Sequence, residues 1–467
     1  MNTQGSTWSE LLSGRNAARS VALSGGVALH AINIYIATTI LPSVVQDIGG
    51  LHLYAWNTTL FVVASILGSA LTARLLQRAG PRGAYGVAGG LFLLGSLACS
   101  LAPNMPLMLV GRSVQGLGGG LLFALSYSMI QRVFDERLWP RAMALISGMW
   151  GIACLIGPAI GGIFAELHVW RAAFGSLIPI TLAYLLLTFS VLPRAEAQRP
   201  AAGRLPVTQL LLLVAAVLAI SLGSLSQAPR WNLAGMGVAA VLMAWLLAKE
   251  SRSATRLLPK GALHPRSPLF ALYGTMALLI IGMTGEIFVP YFLQLLHGQT
   301  PLLAGYLAAL MAVGWTTAEL LSAGWLGAGV RRAIVGGPVC VLIGLVLLAV
   351  FSPVAGGGDW TVLGPICLGL TLIGFGIGLG WPHLLTRVLQ VAPPEEQEAA
   401  ASSITTVQLF ATALGAAIAG MIANQAGLNA PGGVEGAAQA ARWLFGVLSV
   451  APLLAIALAI RSAAIRF

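Results

Sequence analysis

The chain alternates long apolar stretches with short polar breaks. Fourteen apolar runs emerge, at 20–44, 53–73, 83–102, 106–131, 141–165, 171–193, 207–226, 231–248, 268–295, 301–328, 333–352, 361–386, 400–424 and 439–460. About 20 residues in a helix, at roughly 1.5 Å each, cross the ~30 Å hydrocarbon core of a bilayer. The pattern therefore predicts an all-α membrane protein with 14 transmembrane helices. The short alternating strands of a membrane β-barrel are not seen.

Composition agrees. The chain is 57% hydrophobic and 8% charged, which excludes a soluble globular domain. The run after the polar first 18 residues is too long for a signal peptide and has no cleavage pattern.

A net charge of +11 by itself would suit nucleic acid, but the placement of the charges argues otherwise. Arg15 and Arg19 precede the first run. Arg74, Arg78 and Arg82 follow the second, Arg132, Arg137 and Arg141 the fourth, and Arg194, Arg199 and Arg204 the sixth. Lys249, Arg252, Arg256, Lys260 and Arg266 follow the eighth, Arg331 and Arg332 the tenth, and Arg387, Arg461 and Arg466 the last two even runs. The intervening loops hold only Arg171 and Arg230, and Arg112 and Arg442 lie within helices. This is the positive-inside distribution. It predicts a multi-pass cell (inner) membrane protein with both termini cytoplasmic, and no nucleic-acid partner. Cys99, Cys154, Cys340 and Cys367 all fall in apolar runs and read as core residues. No metal or cofactor is expected.

The organisation reads as six, two and six helices. Residues 1–19 form a cytoplasmic segment, 20–193 a six-helix bundle, 194–267 linkers with two additional helices, 268–460 a second six-helix bundle, and 461–467 a tail. Repetition between the bundles is faint: Arg74 to Gly90 loosely matches Arg331 to Gly337.

One stretch organises the rest. Gly148 to Gly162 contains Gly157-Pro158-Ala159-Ile160-Gly161-Gly162 inside an apolar run. Gly157 and Gly161 share a helix face and admit a close neighbour. A packing seam and a hinge or seal between moving helices both fit. Gly374, Gly376, Gly378 and Gly380 recur at a spacing of two, which is no helix-face motif, and read as a deformable helix packed against neighbours.

Arg112-Ser113-Val114-Gln115-Gly116-Leu117-Gly118-Gly119-Gly120 in the fourth run and the Gly-Pro-x-x-Gly-Gly of the fifth together resemble two signatures of the drug:proton antiporters of the major facilitator superfamily. Leu41-Pro42, Trp170-Arg171, Val289-Pro290-Tyr291-Phe292-Leu293-Gln294 and His297-Gly298 agree. With fourteen runs, the chain is similar to the fourteen-helix branch of that group. The resemblance implies the major facilitator fold, two six-helix bundles around a central cavity plus two extra helices, with alternating access. It implies that Gly148, Gly157, Pro158, Gly161 and Gly162 form the conformational motif and that Arg112 takes part in proton coupling. Two positions depart from the pattern. Asn33 stands where the family commonly has an Asp. In the loop after the second run Ala73, Gln77 and Pro81 replace Gly, Asp and Arg, while Arg78, Gly80 and Arg82 remain.

Ionisable groups inside a membrane are costly and default to function. Arg112 needs a partner, a carbonyl or a wet cavity; a purely structural tie to the first helix is the alternative. Glu286 and Glu319 are the only carboxyls well inside the helices. A carboxyl in low-dielectric surroundings can load and release protons near neutral pH, or it can face a cationic substrate or make a structural contact. His30 shares a face with Asn33 and can replace the missing Asp or sit neutral on a carbonyl. Trp315, Tyr291, Gln294, Gln408, Gln115 and Asn33 are the expected cavity residues. No Walker A, HExxH or GxSxG sequence occurs, so neither ATP drive nor an enzyme is expected.

The chain thus reads as a secondary active transporter, a proton-coupled monomeric exporter of hydrophobic or cationic small molecules. A transporter of one metabolite or lipid with altered coupling, and a non-transporting membrane sensor of the same fold, are the alternatives.

Overall fold

The structure of the protein, a computed structural model, describes residues 7–193, 205–226, 228–253 and 255–463, without the side chains at 140, 394 and 398. Among these residues every regular element is helical. The expected linker at 194–206 falls mostly outside them, as do Arg194, Arg199, Arg204 and Arg466 and the end of the tail.

In the first half, a single turn α1 (Trp8–Leu11) carries a capping box from Thr7 and Glu10, and α2 runs Gly14–Ile48. Helix formation therefore begins inside the segment read as polar. α3 (Tyr54–Ser100), α4 (Met105–Ser128), a turn α5 (Ile130–Val133), α6 (Trp139–Glu166) and α7 (Trp170–Val191) follow. The second half holds α8 (Val207–Gly223), α9 (Pro229–Arg252), α10 (Pro268–Met283), α11 (Val289–Leu295), α12 (Pro301–Ser322), α13 (Ala328–Phe351), α14 (Trp360–Val391), α15 (Gln397–Gln425), α16 (Gly433–Leu448) and α17 (Val450–Ala463).

Among the described residues twelve helical stretches are long and apolar enough to cross a membrane, against the fourteen expected. Two causes account for the difference. Two expected spans join as one stretch, Leu51–Ser100, although Gly80 inside it leaves helical geometry at φ 66° and ψ 179°. That φ strains any residue with a Cβ, so glycine is needed there. The other cause is α8, which is apolar but only 17 residues long. The ninth run is also interrupted: a 3₁₀ segment, Thr284–Phe288, separates α10 from α11.

The chain divides into two units, Met1–Gly49 with Leu60–Arg204, and Gly50–Thr59 with Leu205–Phe467. The first turns of α3 thus cluster with the second unit. There Tyr54 stacks on Phe288 at 5.0 Å and meets Tyr291 at 5.6 Å.

Glycine seams hold each unit together. In the first, Gly116 and Gly120 bring α4 onto the carbonyls of Phe61 and Ser65 in the early part of α3. Gly111 and Gly118 bring its opposite side onto Cys99, Ala88 and Phe92 in the later part. A Cβ at any of these four would overlap its neighbour. Ser65 and Ser69 close the seam by donating to the Gly116 and Gly120 carbonyls at 3.0 and 3.1 Å. In the second unit α14 lies between α12 and α13 in the same way. Gly374 and Gly378 face the Met311 and Trp315 carbonyls of α12, and Gly369 and Gly376 face Gly344 and Gly337 of α13. The spacing of two in α14 is therefore two interleaved helix-face pairs, one for each neighbour.

The two seams share one register. Gly111, Gly116, Gly118 and Gly120 correspond to Gly369, Gly374, Gly376 and Gly378 at a constant offset of 258 residues, and the facing helices keep offsets of 249 and 250. This register pairs Arg82, not Arg74, with Arg331. The additional helices form a hairpin in the second unit. It is tight where Gly223 meets Gly235, and Asn424 ties it to α15 by donating to the Ser224 carbonyl at 3.3 Å.

Candidate functional site

A further face of α4 carries polar groups. Asn104 caps the helix by accepting from the Leu107 amide at 3.0 Å, and two turns on lie Arg112, Gln115 and Gly119. Positions three and four apart share a face, and this face meets α2. Arg112 is 2% exposed. Its Nη1 donates to Asn33 Oδ1 at 3.2 Å and to Gln115 Oε1 at 2.6 Å. Gln115 Nε2 donates in turn to Ser96 Oγ at 2.8 Å. The guanidinium carbon lies 4.2 Å from the Phe61 ring centroid and 6.0 Å from that of Phe174. A buried cation needs such compensation, since desolvating it costs several kcal/mol.

His30 adjoins this cluster. Its ring is packed among Phe61, Phe123 and Trp150, with centroids at 5.3, 5.4 and 6.2 Å, and its Nδ1 makes no hydrogen bond. The ring abuts Gly119, where a Cβ would approach Nδ1 to 2.8 Å. Phe61 therefore touches both titratable groups of the site. Asn33 stands where an Asp was the family expectation, and it supplies an amide oxygen to Arg112. Its Nδ2 has no partner.

The structure brings together Arg112, Asn33, Gln115 and His30, and it adds Ser96, Phe61 and Phe174, which the sequence reading missed. A serine or phenylalanine in an apolar run carries no signal until its neighbour is known.

The second unit carries the carboxyls. Glu286 lies in the 3₁₀ interruption between α10 and α11, half-buried. Glu319 is half-buried on α12, one turn after Trp315, whose ring packs on Trp381 at 5.4 Å. At the register of the seams, Trp315 and Glu319 occupy the positions of Ser65 and Ser69. Tyr291 is buried in the aromatic stack of Tyr54 and Phe292. Gln294 is half-buried with Nε2 unpartnered, and Gln408 is half-buried on α15.

The conformational motif resolves into a seam and an outlier. Gly157 packs against Tyr35, Ile32 and Ile36 of α2, and Gly161 against Ile36 and Thr39. Pro158 and Gly162 are buried beside them. Gly148 is exposed, with open space where its Cβ would lie. In the loop motif, Gly80 makes the turn inside α3 and Arg82 Nε donates to the Leu192 carbonyl just beyond α7. Arg78 is exposed.

Comparison with known proteins agrees with this architecture. The family model of the Major Facilitator Superfamily matches residues 23–416. A Mycobacterium tuberculosis protein named "Probable multidrug-efflux transporter" is 39% identical over 461 residues, covering 96% of this chain and 95% of that one. A Staphylococcus aureus "Multidrug efflux pump" is 25% identical over 411 residues, covering 86% and 89%. Among solved structures, a peptide transporter crystallised with sulfate matches with a TM-score of 0.69 at 15% identity, covering 95% of each chain. The apolar helices, the paired glycine seams and a family match over most of the length lead to one assignment: the chain belongs to the major facilitator superfamily.

Proposed function

We propose that the protein is a proton-coupled exporter of hydrophobic or cationic compounds that works by alternating access. The observation that carries this reading is the 39% identity, over nearly the whole chain, to a relative named for multidrug efflux. Its placement in the fourteen-helix drug:proton antiporter branch rests on span lengths. The 50 residues of Leu51–Ser100 would extend about 75 Å as one helix, more than twice the bilayer core, so two spans turning at Gly80 fit better. The 17 residues of α8 reach about 25 Å and pair with α9 as the extra hairpin. Fourteen spans with the observed Lys and Arg distribution leave both termini in the cytoplasm of the inner membrane. The functional divisions are then 20–193, 194–267 and 268–460, in a monomer.

In this reading Glu286 and Glu319 load and release the protons. The Glu286 carboxyl makes no hydrogen bond or ion pair among the described residues, and Trp315 beside Glu319 offers a cation a ring face. His30, enclosed by rings next to Arg112, suits a neutral imidazole that shapes the cluster. Arg112 holds α4 to α2 through Asn33, and Gly157 and Gly161 form the sliding contact of α6 on α2.

The test uses acidified inside-out membrane vesicles, to which lipophilic cations and neutral drugs are added. Protein-dependent collapse of the pH gradient is expected, and its loss in Glu286→Gln or Glu319→Gln, but not in His30→Ala, assigns the carriers. Substrate accumulation with no proton movement would instead favour uncoupled transport of a specific metabolite or lipid, the reading that Asn33 in place of an Asp supports.

A further inference from the structure

The α8–α9 hairpin takes no part in the chemistry above, yet it forms one wall of a cleft. A groove of about 560 Å³ lies between α9, α15 and α16, lined by Asn232, Leu233, Met236, Met421, Gln425 and Trp443, among others. Leu233, Met236 and Trp443 are exposed. Only 17% of the α9 span is buried, so this helix turns most of its surface outward.

One end of the groove is polar, and its hydrogen bonding is fixed in one sense. Asn232 Nδ2 donates to the Ser226 carbonyl at 3.2 Å, and Gln425 Nε2 donates to the same oxygen at 3.0 Å. A carbonyl can only accept, so both amides are held with nitrogen toward Ser226. Both amide oxygens are left as acceptors. Asn232 is 6% exposed and its Oδ1 has no partner among the described residues, an unfavourable state that a donor would relieve. The walls beyond are leucine, methionine and isoleucine, and the Trp443 ring offers a cation its face. No residue of the lining is charged. Arg230 and Arg442, each exposed and each next in sequence to a lining residue, supply positive charge nearby.

Acceptors without donors, an aromatic face, apolar walls and neighbouring arginines describe one amphiphile: a zwitterion whose cationic head donates hydrogen bonds, whose phosphate is anionic and whose tails are hydrocarbon. We propose that the groove binds phosphatidylethanolamine, with the ammonium on the amide oxygens of Asn232 and Gln425 and the acyl chains along Leu233, Met236 and Met421. A trimethylammonium head has no N–H to give, and a phosphatidylglycerol head brings no cation. The bound lipid would fasten the hairpin to α15, which gives the two additional helices a role independent of the transported compound.

Native mass spectrometry of the purified full chain tests this, with dioleoyl phosphatidylethanolamine, phosphatidylcholine or phosphatidylglycerol added separately. Phosphatidylethanolamine adducts should exceed the other two by about tenfold, the factor expected from hydrogen bonds to a charged donor. Met236→Trp fills the groove from an exposed position and should abolish the excess. Asn232→Leu should reduce it in the same direction. Equal retention of the three lipids, or an excess that survives Met236→Trp, would overturn the proposal.

Discussion

α4 and α14 make a controlled pair. Each lies between two helical segments on two rows of glycines, the rows match at an offset of 258 residues, and at three of the four positions the equivalent carbonyls of the facing segments receive them. The side chains that point elsewhere have diverged. Where α4 has Arg112 and Gln115, α14 has Leu370 and Ile373, both buried. Where the seam of α4 is closed by Ser65 and Ser69, that of α14 has Trp315 and Glu319. The first unit thus spends its α2-facing surface on a buried cation held by amides. The second has apolar residues at the matching positions and places Glu319 on the neighbouring helix. Backbone contact and side-chain chemistry are separable here, because a glycine seam uses carbonyls and Cα atoms that every sequence possesses.

The comparison can be broken most severely by making α4 a chemical copy of α14. Arg112→Leu with Gln115→Ile should leave the chain folded and inserted, because the same residues are tolerated at 370 and 373. Substrate-driven proton movement should fall by at least about tenfold, since hydrogen bonds to a charged group are lost together. Undiminished transport by a correctly inserted double variant would remove Arg112 from function. A smaller effect is expected from Glu319→Ser, which restores the serine of the first unit. Efflux of cations in the vesicle assay should drop several-fold while neutral compounds are less affected. Equal losses for both classes would assign Glu319 to the proton alone.

The seams themselves should respond alike. Gly118→Ala and Gly376→Ala each place a methyl against backbone of the neighbouring helix, and each should cost about 1–3 kcal/mol by overpacking. Thermal unfolding in detergent reads this, and a large cost at one site with none at the other would refute the equivalence. The smallest effect sharpens the same logic within α6. Gly148→Ala meets open space and should stabilise the helix by about 0.5–1 kcal/mol with transport unchanged, whereas Gly157→Ala strikes Tyr35 of α2 and should impair both.

Much of the fold was legible because a bilayer demands one thing of a span, a sufficient apolar length. The boundary at Gly80 was legible as a break but not as a turn tight enough to leave a nearly continuous helix. The clustering of Gly50–Thr59 with the second unit was not legible, since nothing in that segment names its neighbours. Gly157 and Gly161 announced a seam by their spacing, whereas Gly374 to Gly380 concealed two, because interleaved pairs for two neighbours read as neither. Arg112 stood out by its charge. Ser96 and Phe61 did not, because their importance lies in what faces them.

The interrupted run between α10 and α11 has a consequence for cooperativity. Thr284–Phe288 holds 3₁₀ geometry, whose hydrogen bonds span one residue fewer than those of an α-helix. A shift to α-helical pairing there would turn Glu286 about the helix axis, and because Pro290 has no N–H the Glu286 carbonyl would then lose its backbone partner. The carboxyl therefore sits where a change of winding also changes length, because α geometry rises about 1.5 Å per residue against about 2.0 Å for 3₁₀. Reorientation of that one side chain is thereby geared to a displacement of α10 relative to α11.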